Sequence, residues 1–189
     1  MSATELHVGL WAWIIQDGNY GDFEAEQDAR FALEFYAPEG LQPAGPTSLS
    51  AEHLGANRYR VRATVVFRGD NVWVIDTGRF LAFWETSPPS HAVVGSWVEG
   101  TLELSIDPFF YFEYLHSLPG MPMLSYRWAI RMILREMSPW VLENGVRRRD
   151  RAHESFIGVN GTNAWTDDGG SAHYVLVAER LSGPELPSD

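Results

Sequence analysis

Residues 107–137 have the sequence DPFFYFEYLHSLPGMPMLSYRWAIRMILREM and depart from the pattern of the rest of the chain. Before and after this stretch, apolar and polar residues alternate over short runs, which is typical of β-strands. Within it, the apolar spacing becomes helical and aromatic residues are densest. We therefore predict a mainly β protein with one inserted helical segment near residues 108–138.

The second half of the stretch has the clearest helical pattern in the chain. At 100° per residue, one apolar face is formed by Met123, Tyr126, Ala129, Ile130, Ile133, Leu134 and Met137. Pro122 can occupy the first turn, where its missing N–H would be unpaired anyway. Ser138 precedes Pro139 and is disfavoured in a helix. We predict that the only long helix lies within about 122–138.

The first half of the stretch is apolar on every side. Asp107 and Pro108 match the cap and first residue of a helix, although a strand continuing from residue 106 is the competing interpretation. A helix apolar on all sides must be buried or must meet a partner. We predict self-association or a protein partner, with an interface formed by Phe109, Phe110, Tyr111 and Tyr114.

A row of arginines accompanies the predicted helix. Arg127, Arg131 and Arg135 are spaced four residues apart, beside Trp128. Like charges at this spacing repel each other unless anions face them. The chain's own carboxylates are the simplest anions, and a small anionic ligand or an acidic partner is the alternative. In that alternative, Trp128 would supply a flat surface for stacking. These four residues are the predicted binding site.

The remaining sequence predicts about eight strands separated by turn residues, in an antiparallel barrel or sandwich. We expect a single domain over residues 1–189 with a disordered tail at 182–189. The predicted strands are Leu6–Ile15, Arg30–Ala37, Arg58–Phe67, Val72–Asp76, Phe80–Trp84, Trp97–Ile106, Phe156–Val159 and His173–Arg180.

Composition narrows the classes of function. The formal net charge of −11 disfavours nonspecific binding to nucleic acids or anionic membranes. The absence of cysteine excludes disulfides and thiolate metal sites. No signal peptide and no apolar run long enough to span a membrane is visible. We therefore expect a cytoplasmic protein that binds neither nucleic acid nor membrane.

Motifs for catalysis, nucleotides or metals are missing from the sequence. There is no P-loop, no Gly-x-Ser-x-Gly and no Gly-x-Gly-x-x-Gly, and the six histidines lack metal-ligand spacing. A local basic run occupies residues 147–151. We predict a non-catalytic binding or interaction protein without metal or cofactor. The alternative is an enzyme or small-ligand carrier with an anion-binding pocket between the barrel and the helical insert.

Overall fold

The chain folds as a mainly β protein, as the sequence predicts. The structure is a computed structural model that describes residues 5–143 and 145–185. Strand makes up 51% of it and helix 10%. The strands are β1 Glu5–Trp11, β2 Asp28–Phe31, β3 Leu33–Tyr36, β4 Gln42–Ala44, β5 Ser50–Gly55, β6 Arg58–Arg68, β7 Trp73–Asp76, β8 Leu81–Trp84, β9 Trp97–Ile106, β10 Ser125–Glu136, β11 Trp140–Glu143, β12 Val146–Arg149, β13 Phe156–Val159 and β14 His173–Glu185. The helices are α1 Ala12–Gln16 and α2 Phe110–Glu113, and 3₁₀ turns occupy Leu115–Ser117, Arg151–His153 and Asp167–Gly169.

Five strands close into a barrel. β6, β7 and β8 form an antiparallel meander, as their turn residues predict. β8 then pairs with β3 in parallel, at Glu34 and Phe83. β9 closes the ring because it pairs antiparallel with β3 on one edge and with β6 on the other. Of the predicted barrel or sandwich the barrel is therefore present, with five strands in the ring and further strands outside it.

The sheet continues beyond the barrel through β1. β1 meets β9 at a single parallel position, Gly9 opposite Ser105, and pairs antiparallel with β14 along its whole length. β10 follows on the far side of β14, and its outer edge pairs with β2 and then with β13. β11 and β12 form a separate two-stranded hairpin.

Two apolar cores stabilise this arrangement. The larger one contains inward side chains of the barrel together with those of β1, β10 and β14. Along β7, Trp73 and Ile75 point into that core while Val74 points to the opposite face. Val74 joins a smaller cluster with Phe67, Phe83, Tyr111, Leu115 and Leu124. The segment after β9 thus covers the outer face of the barrel.

The predicted long helix at 122–138 is wrong, because residues 125–136 form strand β10. Tyr126, Trp128 and Ile130 are buried at a spacing of two, and the next buried apolar residue is Ile133. The pairing of β10 with β14 shifts its register between Ile130 and Met132. Such a bulge adds one residue to the strand. The extra residue changes the spacing between buried residues from two to three at this point, and a spacing of three is also typical of a helix.

Only the first half of the predicted insert is helical. The Asp107 carboxylate accepts hydrogen bonds from the backbone N–H groups of Phe110 and Tyr111, at 2.8 and 3.0 Å. Asp107 therefore binds the start of the helical segment, but the N-cap is Phe109, so the predicted helix start with Asp107 as cap and Pro108 as first helical residue is wrong. α2 spans one turn, and a 3₁₀ turn follows it. Tyr111 anchors the segment, because its hydroxyl accepts from Leu124 N and donates to Pro122 O.

Two predicted boundaries also change. The first strand ends at Trp11, and residues 12–16 form α1, where Gln16 donates to the carbonyls of Ala164 and Gly170. The tail predicted as disordered from residue 182 is wrong for residues 182–185. These residues extend β14, whose Glu185 pairs with Ser125 of β10. Residues 186–189 lie outside the described residues.

We expect Tyr111→Ala to destabilise the protein by about 3–5 kcal/mol, because it removes a fully buried ring and leaves Leu124 N without its acceptor. Tyr114→Ala is the matched control, since Tyr114 is 40% exposed on the same segment. We expect the control to cost about 1 kcal/mol or less. Urea unfolding of the three proteins measures both effects, and equal losses would show that the segment is not anchored through Tyr111.

Candidate functional site

The predicted arginine row is paired with carboxylates of the same chain. The three closest contacts are Arg127 to Asp28 at 2.6 Å, Arg131 to Glu179 at 2.6 Å and Arg135 to Asp167 at 2.7 Å. These carboxylates come from β2, β14 and the loop before β14. Of the two alternatives, the structure therefore has the arginine row facing carboxylates of the same chain.

Trp128 lies in the core and offers no stacking surface to a ligand. Its indole is fully buried and stacks on Phe31, with ring centroids 5.3 Å apart. Its Nε1–H donates to the carbonyl of Phe31 at 3.3 Å. Because Trp128 sits in a strand, it points to the opposite side from Arg127. The helical pattern had placed the two side by side.

The predicted interface residues divide into two groups. Tyr111 is fully buried within its own chain, so its predicted place in an interface is wrong. Phe109 and Phe110 are half-buried, and Tyr114 is 40% exposed with its hydroxyl bonded to Glu85. Self-association through the exposed part of this segment stays a prediction.

A large concave surface lies elsewhere, between the β11–β12 hairpin and one end of the barrel. It is a groove of about 1150 Å³. Two ion pairs fix the chain after the hairpin against the barrel, Arg58 to Glu154 at 2.9 Å and Arg151 to Glu103 at 2.5 Å. The groove wall also includes Trp11, Tyr36, Asn57, Glu136, Trp140, Arg147, Arg149, Phe156 and His173.

A buried histidine–glutamate pair lines this groove. His173 Nδ1 lies 2.9 Å from a carboxylate oxygen of Glu136, and both side chains are more than nine-tenths buried. Burial acts to raise the pKa of Glu136. Hydrogen bonds from His173 and Ser138, together with the positive charges of His173 and Arg149, outweigh burial and leave the pKa of Glu136 below its ordinary value. Glu136 is therefore an ionised carboxylate at neutral pH.

The ionised carboxylate of Glu136 determines which nitrogen of the His173 ring carries a proton. An ionised carboxylate only accepts hydrogen bonds, so Nδ1 of His173 must donate to it. Nε2 then holds a lone pair when the ring is neutral and a proton when it is charged. Trp11 stacks on the ring with centroids 4.3 Å apart, which fixes the plane of the imidazole.

Gly9 leaves the space that Nε2 occupies. A Cβ atom on Gly9 would lie 3.2 Å from His173 Nε2 and 2.5 Å from Asn57 Nδ2. Asn57 is itself held in place, because Nδ2 donates to the carbonyl of Leu104 at 2.9 Å. The Nε2 edge of His173 and the Asn57 amide therefore approach the same point of β1.

The hairpin forms the opposite wall, with two arginines over one tryptophan. The guanidinium carbons of Arg149 and Arg147 lie 4.1 and 5.1 Å from the ring centre of Trp140. The Arg149 guanidinium is nearly buried and also binds the carbonyl of Ser138 and the carboxylate of Asp168. Its Nε is buried without a hydrogen-bond partner among the described residues.

Arg147 differs from every other arginine in the chain. Ten of the fourteen lie within 4.0 Å of a carboxylate oxygen. Three more, Arg68, Arg79 and Arg180, donate to backbone carbonyls. Within residues 5–143 and 145–185, the contact found for the Arg147 guanidinium is the face of Trp140. Arg147 is also exposed, so its N–H groups are available to an anion.

Two further titratable groups lie away from the groove, near the start of α2. Burial raises the pKa of Glu34, and with the added effect of the Asp107 and Glu85 charges the pKa reaches about 8. Burial also raises the pKa of Asp107 to about 7, against the opposing effect of its backbone hydrogen bonds. The raised pKa values of these two carboxyls make the free energy of unfolding depend on pH, and the two carboxyls alone do not define a binding site.

Sequence reasoning missed the residues of the groove. Glu136, His173 and Trp11 come from three different strands, and no spacing within the sequence connects them. The basic run at 147–151 was the available signal, since it contains Arg147 and Arg149.

In the described part of the chain, no group of three or more His, Asp or Glu side chains could hold a metal ion. No helix in that part is long and apolar enough to span a membrane.

We expect Glu34→Gln to stabilise the protein at alkaline pH. Between the ordinary value of 4.5 and about 8, the folded chain keeps a proton that the unfolded chain has released. Wild-type stability therefore falls as pH rises through this range, and the loss is complete above about pH 8. Glutamine removes this dependence, so we expect a gain of roughly 2–5 kcal/mol at pH 8.5 and almost none at pH 4.5.

Chemical unfolding at several pH values measures this difference. Glu39→Gln is the matched control, because Glu39 is exposed and its replacement should leave the pH profile unchanged. A Glu34→Gln profile parallel to that of the wild type would contradict the raised pKa.

Comparisons with known proteins give this chain no relative. No family model matches it, and neither a curated protein nor a solved structure does so. Its function is therefore inferred from the groove and the side chains that line it.

Proposed function

We propose that the protein is a binding protein whose groove holds a ligand with a flat ring and an anionic group. The observation that supports this most directly is Arg147, a groove-lining cation without a carboxylate or carbonyl partner among the described residues. In a chain of net charge −11, carboxylates are abundant, and ten arginines use them. A cation left without one is suited to an anion from outside the chain.

The flat part of the ligand is suggested by the aromatic residues of the groove. Trp11 is 40% exposed and Tyr36 is 52% exposed on the barrel wall. Trp140 lies on the hairpin wall beneath the arginines. A guanidinium stacked on an indole keeps its N–H groups free in its own plane, where they can bind a carboxylate, sulfonate or phosphate. The ring of the ligand would then contact Trp11 or Tyr36.

The groove lies away from the place where the sequence predicts an anion-binding pocket. The sequence placed it between the barrel and a helical insert, at Arg127, Arg131 and Arg135. Those arginines have carboxylate partners, and the insert packs its apolar residues against the barrel. The groove is larger than the roughly 300–1,000 Å³ of common ligand pockets, which leaves room for a ligand with its hydration water.

We expect benzenesulfonate to bind the wild-type protein and Arg147→Gln to weaken that binding about tenfold or more. A hydrogen bond to a charged group contributes about 1.5–3 kcal/mol, and 1.4 kcal/mol corresponds to a factor of ten. Isothermal titration calorimetry at low ionic strength measures the affinity. Benzenesulfonate combines one ring with one permanent negative charge, and benzyl alcohol serves as the uncharged control ligand.

Arg60→Gln is the matched control variant. Arg60 lies on β6 outside the groove, is exposed like Arg147 and lies 3.2 Å from Glu52. Its replacement should leave the affinity within about twofold. No binding to the wild type, or equal losses in the two variants, would contradict the proposed site.

A further inference from the structure

We infer that the binding of an anion in the groove is coupled to the uptake of one proton by His173. This inference rests on the proposed function and concerns the same groove. It follows from the hydrogen bond that orients His173, from the charges that line the groove and from the position of the Nε2 edge.

The hydrogen bond to Glu136 decides what Nε2 can offer a ligand. Because Nδ1 donates to Glu136, Nε2 of the neutral ring is only an acceptor. A lone pair facing the oxygen of an anion is repulsive. Protonation of Nε2 replaces this lone pair with a charged donor, so an anion at this edge favours the imidazolium form.

The formal charges of the groove lining also favour a protonated His173 when an anion is bound. Five arginines and five acids line it: Arg58, Arg147, Arg148, Arg149, Arg151, Glu103, Glu136, Glu143, Asp150 and Glu154. With a neutral His173 the formal charges of this lining cancel. With a protonated His173 the lining carries a net charge of +1, which matches a single anionic group.

The groups packed around His173 accommodate the added charge. Among the described residues, Glu136 on β10 is the carboxylate bonded to the imidazole, and Trp11 on β1 covers one face of the ring. Asn57 and Gly9 are uncharged. Arg149 acts on Glu136 from β12, and its own charge is paired with Asp168. A carboxylate and an aromatic face both stabilise an imidazolium.

Calorimetric titration with benzenesulfonate tests the coupling, because this probe keeps the same charge throughout the pH range used. We expect the wild-type affinity to fall about tenfold per pH unit on the alkaline side of the histidine titration range. We also expect the measured heat to depend on the ionisation enthalpy of the buffer, with about one proton taken up per ligand bound at the highest pH.

His173→Asn removes the titrating group while keeping a side-chain N–H that can donate to Glu136. Its affinity for benzenesulfonate should be independent of pH and similar to the alkaline value of the wild type. His153→Asn is the matched control, since His153 Nδ1 makes the same kind of contact with Asp150, at 2.7 Å, but its side chain is 75% exposed. The control should keep the pH dependence of the wild type.

A direct observation on the wild type covers the case in which His173→Asn fails to fold. We expect the ¹⁵N resonances of one imidazole to move from the neutral to the protonated pattern when benzenesulfonate is added at constant pH. Binding that is independent of pH, or that leaves every imidazole in its original state, would overturn the inference and leave the proposed function standing. An absence of binding at every pH would overturn the proposed function itself.

Discussion

Hydrogen bonding along both edges of β9 is the constraint on which the fold depends. One edge of β9 pairs with β3 and β4, and the other edge pairs with β6 and then meets β1 at Ser105. The pairs with β3 and β6 close the barrel, and the contact with β1 joins the barrel to the rest of the sheet. Four residues of β9 are fully buried in the main core, Val98, Leu102, Leu104 and Ile106. Glu103, on the outer face, receives Arg151 from the chain that borders the groove.

The parts of the fold that could be predicted are those in which local pattern and final environment agree. β6 and β9 alternate because one face packs into the barrel and the other is more exposed, and both strands were predicted to within one residue of their observed bounds. β10 could not be identified in this way. Its bulge after Ile130 changes the phase of the buried positions, and the strand is covered on both edges by β14 and by β2 or β13. A helical period and a bulged strand then give the same apolar spacing.

The candidate site was less predictable than the fold, because it depends on contacts between distant segments. Arg127, Arg131 and Arg135 were correctly recognised as cations that need anions facing them, yet the carboxylates that satisfy them come from three other segments. The same reasoning could not single out Arg147, whose distinction is the partner it lacks among the described residues. A missing contact leaves no mark on local sequence, so only the folded arrangement shows it.

The buried pair of Glu136 and His173 is better explained by ligand binding than by stability. Apolar residues of similar volume often stabilise a core as well as a buried ion pair does, because both charged groups lose their hydration on burial. Stability alone therefore does not require this pair. Both residues line the groove, where Gly9 has no side chain to crowd Nε2 and Trp11 stacks on the face of the ring. His173, whose Nδ1 is held by the Glu136 carboxylate, lines the same groove as Arg147, an arginine without an acceptor among the described residues. Such a group can respond to an anion in a way that an apolar core cannot.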